Sequence, residues 1–242
     1  ALVDSGPAES VEGRRPKLIA GSITQDKKMQ RLSPLLMPVA AMCAVVAASN
    51  ILVQFPFEHF GLGHVLTWGA FSYPVAFLVN DLTNRWYGPR AARKVVVAGF
   101  VIAVALSALL ATPRIAIASG SAFLMAQMLD IAVFGPLRRR SWWKAPFLAT
   151  ISGSILDTLI FFSLAFSAQF AALDALSAMP DGSLAMPVAF FGGFAPLWLS
   201  LAFGDFCVKL LMGLLMLAPY GAFLSIFRPA QYMPASEPVS LN

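Results

Sequence analysis

Four side chains stand apart because apolar sequence surrounds them: Gln127, Asp157, Asp205 and Lys209. A charge at the centre of a bilayer costs roughly 2.5–3.5 kcal/mol on insertion scales, so such groups must face a protein interior or water. Asp205 and Lys209 are spaced i, i+4 and share a helix face. They can neutralise each other as an internal ion pair, or one or both can bind a polar solute or carry a proton. Asp157 has no acid or base near it in sequence, and Ser152, Ser154 and Thr158 give it a polar stripe. A lone carboxylate at that depth reads as functional. Gln127 and Asp130 are i, i+3 on one face, suited either to interhelical hydrogen bonding or to a solute. Asn50 lies in the outer half of its apolar run. Asn80, Asp81 and Asn84 lie against a run of arginines that includes Arg93, with Asp130 at similar depth. These read as a structural cap and salt-bridge cluster, with direct solute contact as the alternative.

The elements that must position these groups are apolar runs at 34–55, 64–82, 95–111, 117–137 and 145–170. At about 1.5 Å per residue each can cross, or nearly cross, about 30 Å of hydrocarbon as a helix. The region 184–227 is longer than one span. Gly192, Gly193 and Pro196 interrupt it. Residues 184–195 therefore read as a short interfacial or re-entrant piece, or as an extension of the next helix. A sixth span runs from 196 to 218 and stops near Pro219 and Gly221. Residues 1–33 read as a polar cytoplasmic tail without the pattern of a signal peptide, 34–227 as the membrane domain, and 228–242 as a C-terminal tail.

Lysine and arginine set the orientation. Six lie in the first tail, four between the second and third runs, four between the fourth and fifth, and Arg228 follows the sixth. Arg114 alone falls on the other side, so both termini face the cytoplasm by the positive-inside rule. Trp86, Trp142 and Trp143 fit an aromatic belt on the basic side.

The 242 residues are 58 % apolar and 12 % charged, with a mean hydropathy of +0.74. A soluble domain carries about 25 % charge. Half of that cannot cover a water-facing surface, so the expected class is an all-α polytopic membrane protein with the lipid bilayer as solvent. The basic pI of about 9.5 does not point to nucleic acid, because the basic residues fall between apolar runs rather than on one patch interleaved with aromatics. There is no phosphate-binding GxxxxGK[ST], no HExxH, no CxxC and no GxSxG. No catalysis, cofactor or metal is expected. His59 and His64 read as a solvated pair, with proton coupling or metal binding as the alternative. Cys43 and Cys207 lie inside apolar runs and read as buried small hydrophobes.

The stretch from Tyr73 to Phe100, YPVAFLVNDLTNRWYGPRAARKVVVAGF, resembles the queuosine precursor transporter family, also called the vitamin uptake transporter family. Asp81, Leu82, Asn84, Tyr87, Gly88, Ala92 and Arg93 carry the likeness. Arg85 and Trp86 stand where many relatives have Glu before the aromatic pair. Ser49 to Val53, Gln127 to Phe134 with Trp143, Ser152 to Phe162 and Asp205 to Leu210 extend it over residues 34–220. The resemblance implies uptake of 7-cyano- and 7-aminomethyl-7-deazaguanine across a bacterial inner membrane. The six-helix architecture it implies is similar to the substrate-binding subunits of energy-coupling-factor transporters.

A deazaguanine presents two N–H donors beside a carbonyl. Asp157 or Asp205 can accept from the donors, and Asn50, Gln127 or Lys209 can donate to the carbonyl. A flat ring wants an aromatic face, for which Trp68, Phe71 and Tyr73 are candidates, with Trp68 as a plain interface anchor the alternative. Other readings stay open: a binding subunit that needs an ATPase module, or a docking subunit presenting Arg138, Arg139, Arg140 and the tail. The energy source, the preferred deazaguanine and self-association into a homo-oligomer are likewise open.

Overall fold

The computed structural model describes residues 15–59, 66–139, 141–176 and 185–227, with side chains at all of these except 15–33 and 174–176. His64, Arg140, Asp181, Arg228 and the tails 1–14 and 228–242 lie outside the described residues. The chain divides into two units, 1–37 and 38–242. The first contributes helical backbone from Arg15. The packing and the site described below concern the second.

The protein is mostly helical. The helices are α1 (Arg15–Leu52), α2 (Gly69–Ser72), α3 (Pro74–Tyr87), α4 (Pro89–Leu110), α5 (Pro113–Leu137), α6 (Lys144–Phe166), α7 (Leu197–Leu215) and α8 (Leu217–Ile226). A 3₁₀ segment, Ala168–Leu176, and a hairpin of β1 (Pro187–Phe190) and β2 (Gly193–Pro196) lie between α6 and α7. Among the described residues, five stretches are long and apolar enough to cross a membrane: Pro34–Leu52, Pro89–Leu110, Pro113–Leu137, Lys144–Phe166 and Leu197–Ile226.

Prolines punctuate this order. Pro74, Pro89 and Pro113 each open a helix, where the missing N–H costs nothing. Gly88, at φ 80°, ends α3 and turns the chain into α4 within one residue.

Helical backbone extends from the first apolar run back to Arg15, in keeping with the absence of proline and the many good helix formers between Lys17 and Ser33. Three expectations need correction. The second run is not one helix over 64–82. It breaks at Tyr73–Pro74, and its second part continues to Tyr87 because Asn84 and Arg85 are buried among other helices rather than dropped into a loop. Residues 187–196 form an antiparallel hairpin instead of a re-entrant piece or a helix extension. Its two-residue turn places Phe191 (φ 45°) and Gly192 (φ 83°) in the left-handed region, which suits the twist of a tight hairpin. The last apolar helix runs on to Ile226, with a break at Met216, because Pro219 falls in the first turn of α8 where it is tolerated.

Many polar side chains are buried, and many large apolar ones face outward. The buried set includes Asn80, Asp81, Asn84, Arg85, Gln127, Asp130, Asp157 and Lys209. Leu109, Leu159, Leu211 and Leu214 are exposed. That arrangement suits a hydrocarbon solvent, in which helices associate through close packing and polar contacts rather than apolar burial. α5 and α6 pack against each other extensively. They approach at Gly153, where an added Cβ would lie 2.6 Å from Cε1 of Phe77 and 3.2 Å from the carbonyl of Ala126. One apolar cluster joins α1, α3, α4 and α5 around Met42, Ala76, Val95 and Phe123; a second joins α5, α6 and α8 around Phe134, Ala149 and Tyr220. Cys207 is exposed and Cys43 half-buried, both free, so neither is the buried small hydrophobe expected.

Candidate functional site

The break at Pro74 leaves Tyr73 at the junction of α2 and α3. Its hydroxyl donates to Oδ1 of Asp157 on α6 at 3.1 Å. Lys209 of α7 donates to Oδ2 of the same carboxylate at 2.6 Å. One helical turn earlier Asp205 also pairs with the Lys209 ammonium, and Thr158 donates to its Oδ2 at 2.9 Å. The ammonium lies 5.8 Å from the centroid of the Tyr73 ring. Two carboxylates thus share one ammonium, which leaves a net negative charge if all three are ionised. The Asp157 side chain is 6 % exposed and that of Asp205 19 %. Asp205 therefore presents the more accessible carboxylate, while Asp157 is covered by Tyr73 and Lys209.

All four groups line a cavity of about 210 Å³, together with Ser49, Asn50, Ser107 and Phe161. A dry cavity of about 150 Å³ accommodates benzene, so this one has room for a small fused heterocycle. Asn50 donates from Nδ2 to its own helix at the carbonyl of Val46, 3.0 Å away, and accepts from Ser107 at 2.9 Å. Val53, Gln54, Thr67 and Ala111, which flank the ends of α1, α2 and α4, also line the cavity and mark the end of the bundle at which it lies.

The opposite end of the bundle is closed by polar contacts. Arg85, buried on α3, donates from Nε to the Tyr220 hydroxyl of α8 at 2.7 Å, to the carbonyl of Arg138, and to that of Trp142 at 3.3 Å. Its guanidinium also lies 5.1 Å from the centroid of the Phe134 ring. Arg138 in turn donates to the carbonyl of Asn84 at 3.3 Å. Near the cavity end, Arg114 of α5 donates to the carbonyls of Leu164 and Ser167 at 2.8 and 2.7 Å, satisfying groups that the end of α6 leaves free.

The structure therefore brings together Asn50, Asp157, Asp205 and Lys209 and separates the other two residues expected beside them. Trp68 is 41 % exposed and packs edge-on against Phe57 at 4.9 Å, outside the cavity lining. The loop folds back through the Pro56–Thr67 bridge and holds the indole there. Phe71 belongs to the same aromatic group. Gln127 is fully buried between α3 and α5, and Asn80 donates to its backbone carbonyl at 3.3 Å. In the expected salt-bridge cluster, Asn80 donates to Asp130 at 2.9 Å and Asn84 to the carbonyl of Ile131 at 3.4 Å. Arg93 is exposed on the first turn of α4 and is not part of it. Arg85 holds the buried position instead, committed to Tyr220 and carbonyls rather than to a carboxylate.

Sequence reasoning missed Arg85 and Tyr220. Arg85 carries a local signal, since it falls i+4 from Asp81 and so on the polar face of α3. Tyr220 carries none: its partner is 135 positions away.

Fold and site define a multi-pass helical membrane protein with a charged cavity among its helices. The family described as "Putative vitamin uptake transporter" matches residues 67–223. A protein of Escherichia coli named "Queuosine precursor transporter" is 34 % identical over 204 residues, covering 75 % of this chain and 82 % of that protein. One of Haemophilus influenzae named "Probable queuosine precursor transporter" is 33 % identical over 227 residues, covering 81 % of this chain and 88 % of that protein. No solved structure matches the chain. The chain belongs to the vitamin uptake transporter family, a family of transporters rather than enzymes.

Proposed function

We propose that the chain takes up queuosine precursors, 7-cyano-7-deazaguanine and/or 7-aminomethyl-7-deazaguanine, across a bacterial inner membrane. The observation that carries this reading is the Asp157–Lys209–Asp205 group with Tyr73 on the wall of the cavity. It supplies both halves of the recognition a guanine-like edge needs. Oδ2 of Asp205 is taken by Lys209 and Thr158, which leaves Oδ1 to accept from the ring N–H donors. The Lys209 ammonium donates to both carboxylates and, at 3.3 Å, to the Thr158 hydroxyl; a solute carbonyl is met by redirecting that third, longest bond. Asp157 holds that ammonium in place, and the Tyr73 ring gives the heterocycle an apolar face. Water must be expelled from these groups on binding, so a solute lacking the matching edge leaves them unpaired and is rejected. Asn50, already bonded to Val46 and Ser107, is a lining group that keeps one N–H and one lone pair for a solute.

In this reading α2 and α3 together make a broken sixth span, the termini face the cytoplasm, and the cavity opens to the outside. The tails 1–33 and 228–242 are then cytoplasmic and flank the membrane domain 34–227. The sparse positive charge near the cavity end supports that orientation. The commitment of Arg138 to Asn84 counts against a docking role for the 138–140 triplet.

The test is uptake by cells that lack both their own transporter and precursor synthesis. Expression of the chain should restore queuosine in tRNA at limiting external precursor; tRNA without queuosine, with the protein correctly inserted, would contradict the reading. Entry of labelled precursor into liposomes containing the purified chain alone separates a self-sufficient transporter from a subunit that needs an ATPase.

A further inference from the structure

The polar groups of the cavity fall into two sets on different helices. Asp157, Asp205 and Lys209 belong to α6 and α7, which pack against each other. Asn50 and Ser107 belong to α1 and α4, and α4 packs on α3 and α5. The first set is matched to a guanine-like edge. The second has atoms to spare and no assigned part of the solute.

The Asn50 carboxamide is held at both ends. Its nitrogen donates one proton to the carbonyl of Val46, one turn back on α1, at 3.0 Å. Its oxygen accepts from the hydroxyl of Ser107 at 2.9 Å. A backbone carbonyl only accepts, so the nitrogen must face Val46 and the oxygen Ser107. Ser107 is buried, and its position on α4 sets the rotation of the amide. One N–H and one lone pair of known origin are thereby left for the cavity. The neighbouring groups are less suited. The Ser49 hydroxyl accepts from Ser72 at 3.0 Å, and Gln54 is exposed and donates to the backbone carbonyl of Asn50 at 3.4 Å. Ser119 also lines the cavity, but a hydroxyl turns to suit any partner and selects none.

A 7-substituted deazaguanine carries its substituent on the five-membered ring, on the far side of the carbonyl from the two N–H donors. A solute held through those donors by Asp205 therefore carries the substituent beyond the charged group, to lining made by other helices. The two substituents make opposite demands. A cyano group ends in a nitrogen that only accepts. An aminomethyl group is an ammonium at neutral pH and only donates. A carboxylate at this place would suit the ammonium alone, and a lysine the nitrile alone. A carboxamide with one free N–H and one free lone pair meets either.

We propose that the Asn50 carboxamide, aligned by Ser107, reads the 7-substituent of the solute, and that its free N–H and free lone pair let one cavity accept the cyano and the aminomethyl form alike. The inference rests on the uptake reading above and deepens it. Ser107 is a positioning residue that acts through Asn50.

The test is competition binding to the full chain in detergent with three probes: 7-cyano-7-deazaguanine, 7-aminomethyl-7-deazaguanine and unsubstituted 7-deazaguanine. Wild type should bind both substituted compounds about tenfold more tightly than the unsubstituted one, a difference of about 1.4 kcal/mol. Asn50→Leu should bring the three affinities together. Asn50→Asp, which when ionised at alkaline pH accepts and no longer donates, should lose the preference for the cyano compound and keep that for the aminomethyl compound. Ser107→Ala should lower both preferences, a change that a purely structural role of Ser107, read as a lower melting temperature, would not produce. The proposal is overturned if Asn50→Leu weakens all three compounds in equal proportion or leaves their ratios as in wild type. It is also overturned if wild type prefers only one substituent, or if Ser119→Ala shifts the ratios more than Asn50→Leu does. Should Asn50→Leu fail to fold, the same ratios in Asn50→Asp decide. Folded wild type that binds none of the three sinks the uptake reading and this inference together, whereas binding with unaltered ratios in the Asn50 variants sinks the inference alone.

Discussion

The Lys209 ammonium of α7 lies 2.6 Å from the Asp157 carboxylate of α6, 52 positions away in sequence. That contact turns a lone carboxylate and a local ion pair into one group of two acids and one base. Lys209 is held by both acids and is the hinge of the arrangement. Replacing it by Met leaves two carboxylates without their cation, and removal of one partner from a buried pair typically costs about 3–5 kcal/mol. Thermal unfolding in detergent should show Lys209→Met as strongly destabilised. The double variant Asp157→Asn/Lys209→Met should lose less than the two single changes summed, since residues in one network are not additive. Additive losses would mean that the pair is not coupled.

Asp205 differs from Asp157 in its access to the cavity. Asp205→Asn keeps the shape and removes the accepting charge. Uptake should fall by at least about tenfold, the equivalent of one charge-assisted hydrogen bond of about 1.5–3 kcal/mol, with a smaller drop in melting than in Asp157→Asn. Both changes loosen Lys209, but Asp157 is the more deeply buried partner, so its loss should cost more stability. Radiolabelled uptake beside melting curves separates the two; equal effects on both readouts would remove the distinction.

Legibility in the sequence followed the range of each interaction. The Asp205–Lys209 spacing, the depth of Asp157 and the apolar runs are local, and each is visible without a structure. The partner of Asp157 lies on another helix, so no spacing rule reports it. By hydropathy the second run ends at Leu82, because polarity rises at Asn84 and Arg85. Burial against α5 and α8 overrides that signal and carries the helix to Tyr87. Trp68 offers the right ring for a flat solute, yet the Pro56–Thr67 bridge turns it away. The hairpin at 187–196 depends on the left-handed turn at Phe191–Gly192, which hydropathy does not report.

At the closed end, Arg85 reaches a hydroxyl and two carbonyls with one fork. Lysine has a single charged point and cannot reproduce that geometry. Arg85→Lys should therefore lower both stability and transport, whereas Tyr220→Phe removes one hydrogen bond and costs about 1 kcal/mol. Limited proteolysis and uptake assays check this. Wild-type behaviour of Arg85→Lys would show that charge alone suffices there.

Gly153 sets the approach of α6 to α3 and α5. With 2.6 Å to Phe77 and 3.2 Å to the Ala126 carbonyl, a side chain must displace a buried ring or separate the helices. Gly153→Val should cost about 1–3 kcal/mol as an overpacking change, read as a lower melting temperature. Gly135, with nothing within 4 Å, is the matched control and should tolerate alanine. Equal melting of the two variants would refute the close approach.

The central claim is that the Asp157–Lys209–Asp205 group recognises a 7-deazaguanine. Calorimetric binding of both deazaguanines to the purified chain, wild type and Asp205→Asn, tests it most directly. Saturable binding of at least one of them to wild type, weakened about tenfold or more in Asp205→Asn, is the predicted result. Binding of equal strength in both proteins, or none of either compound to folded wild type, would contradict the account.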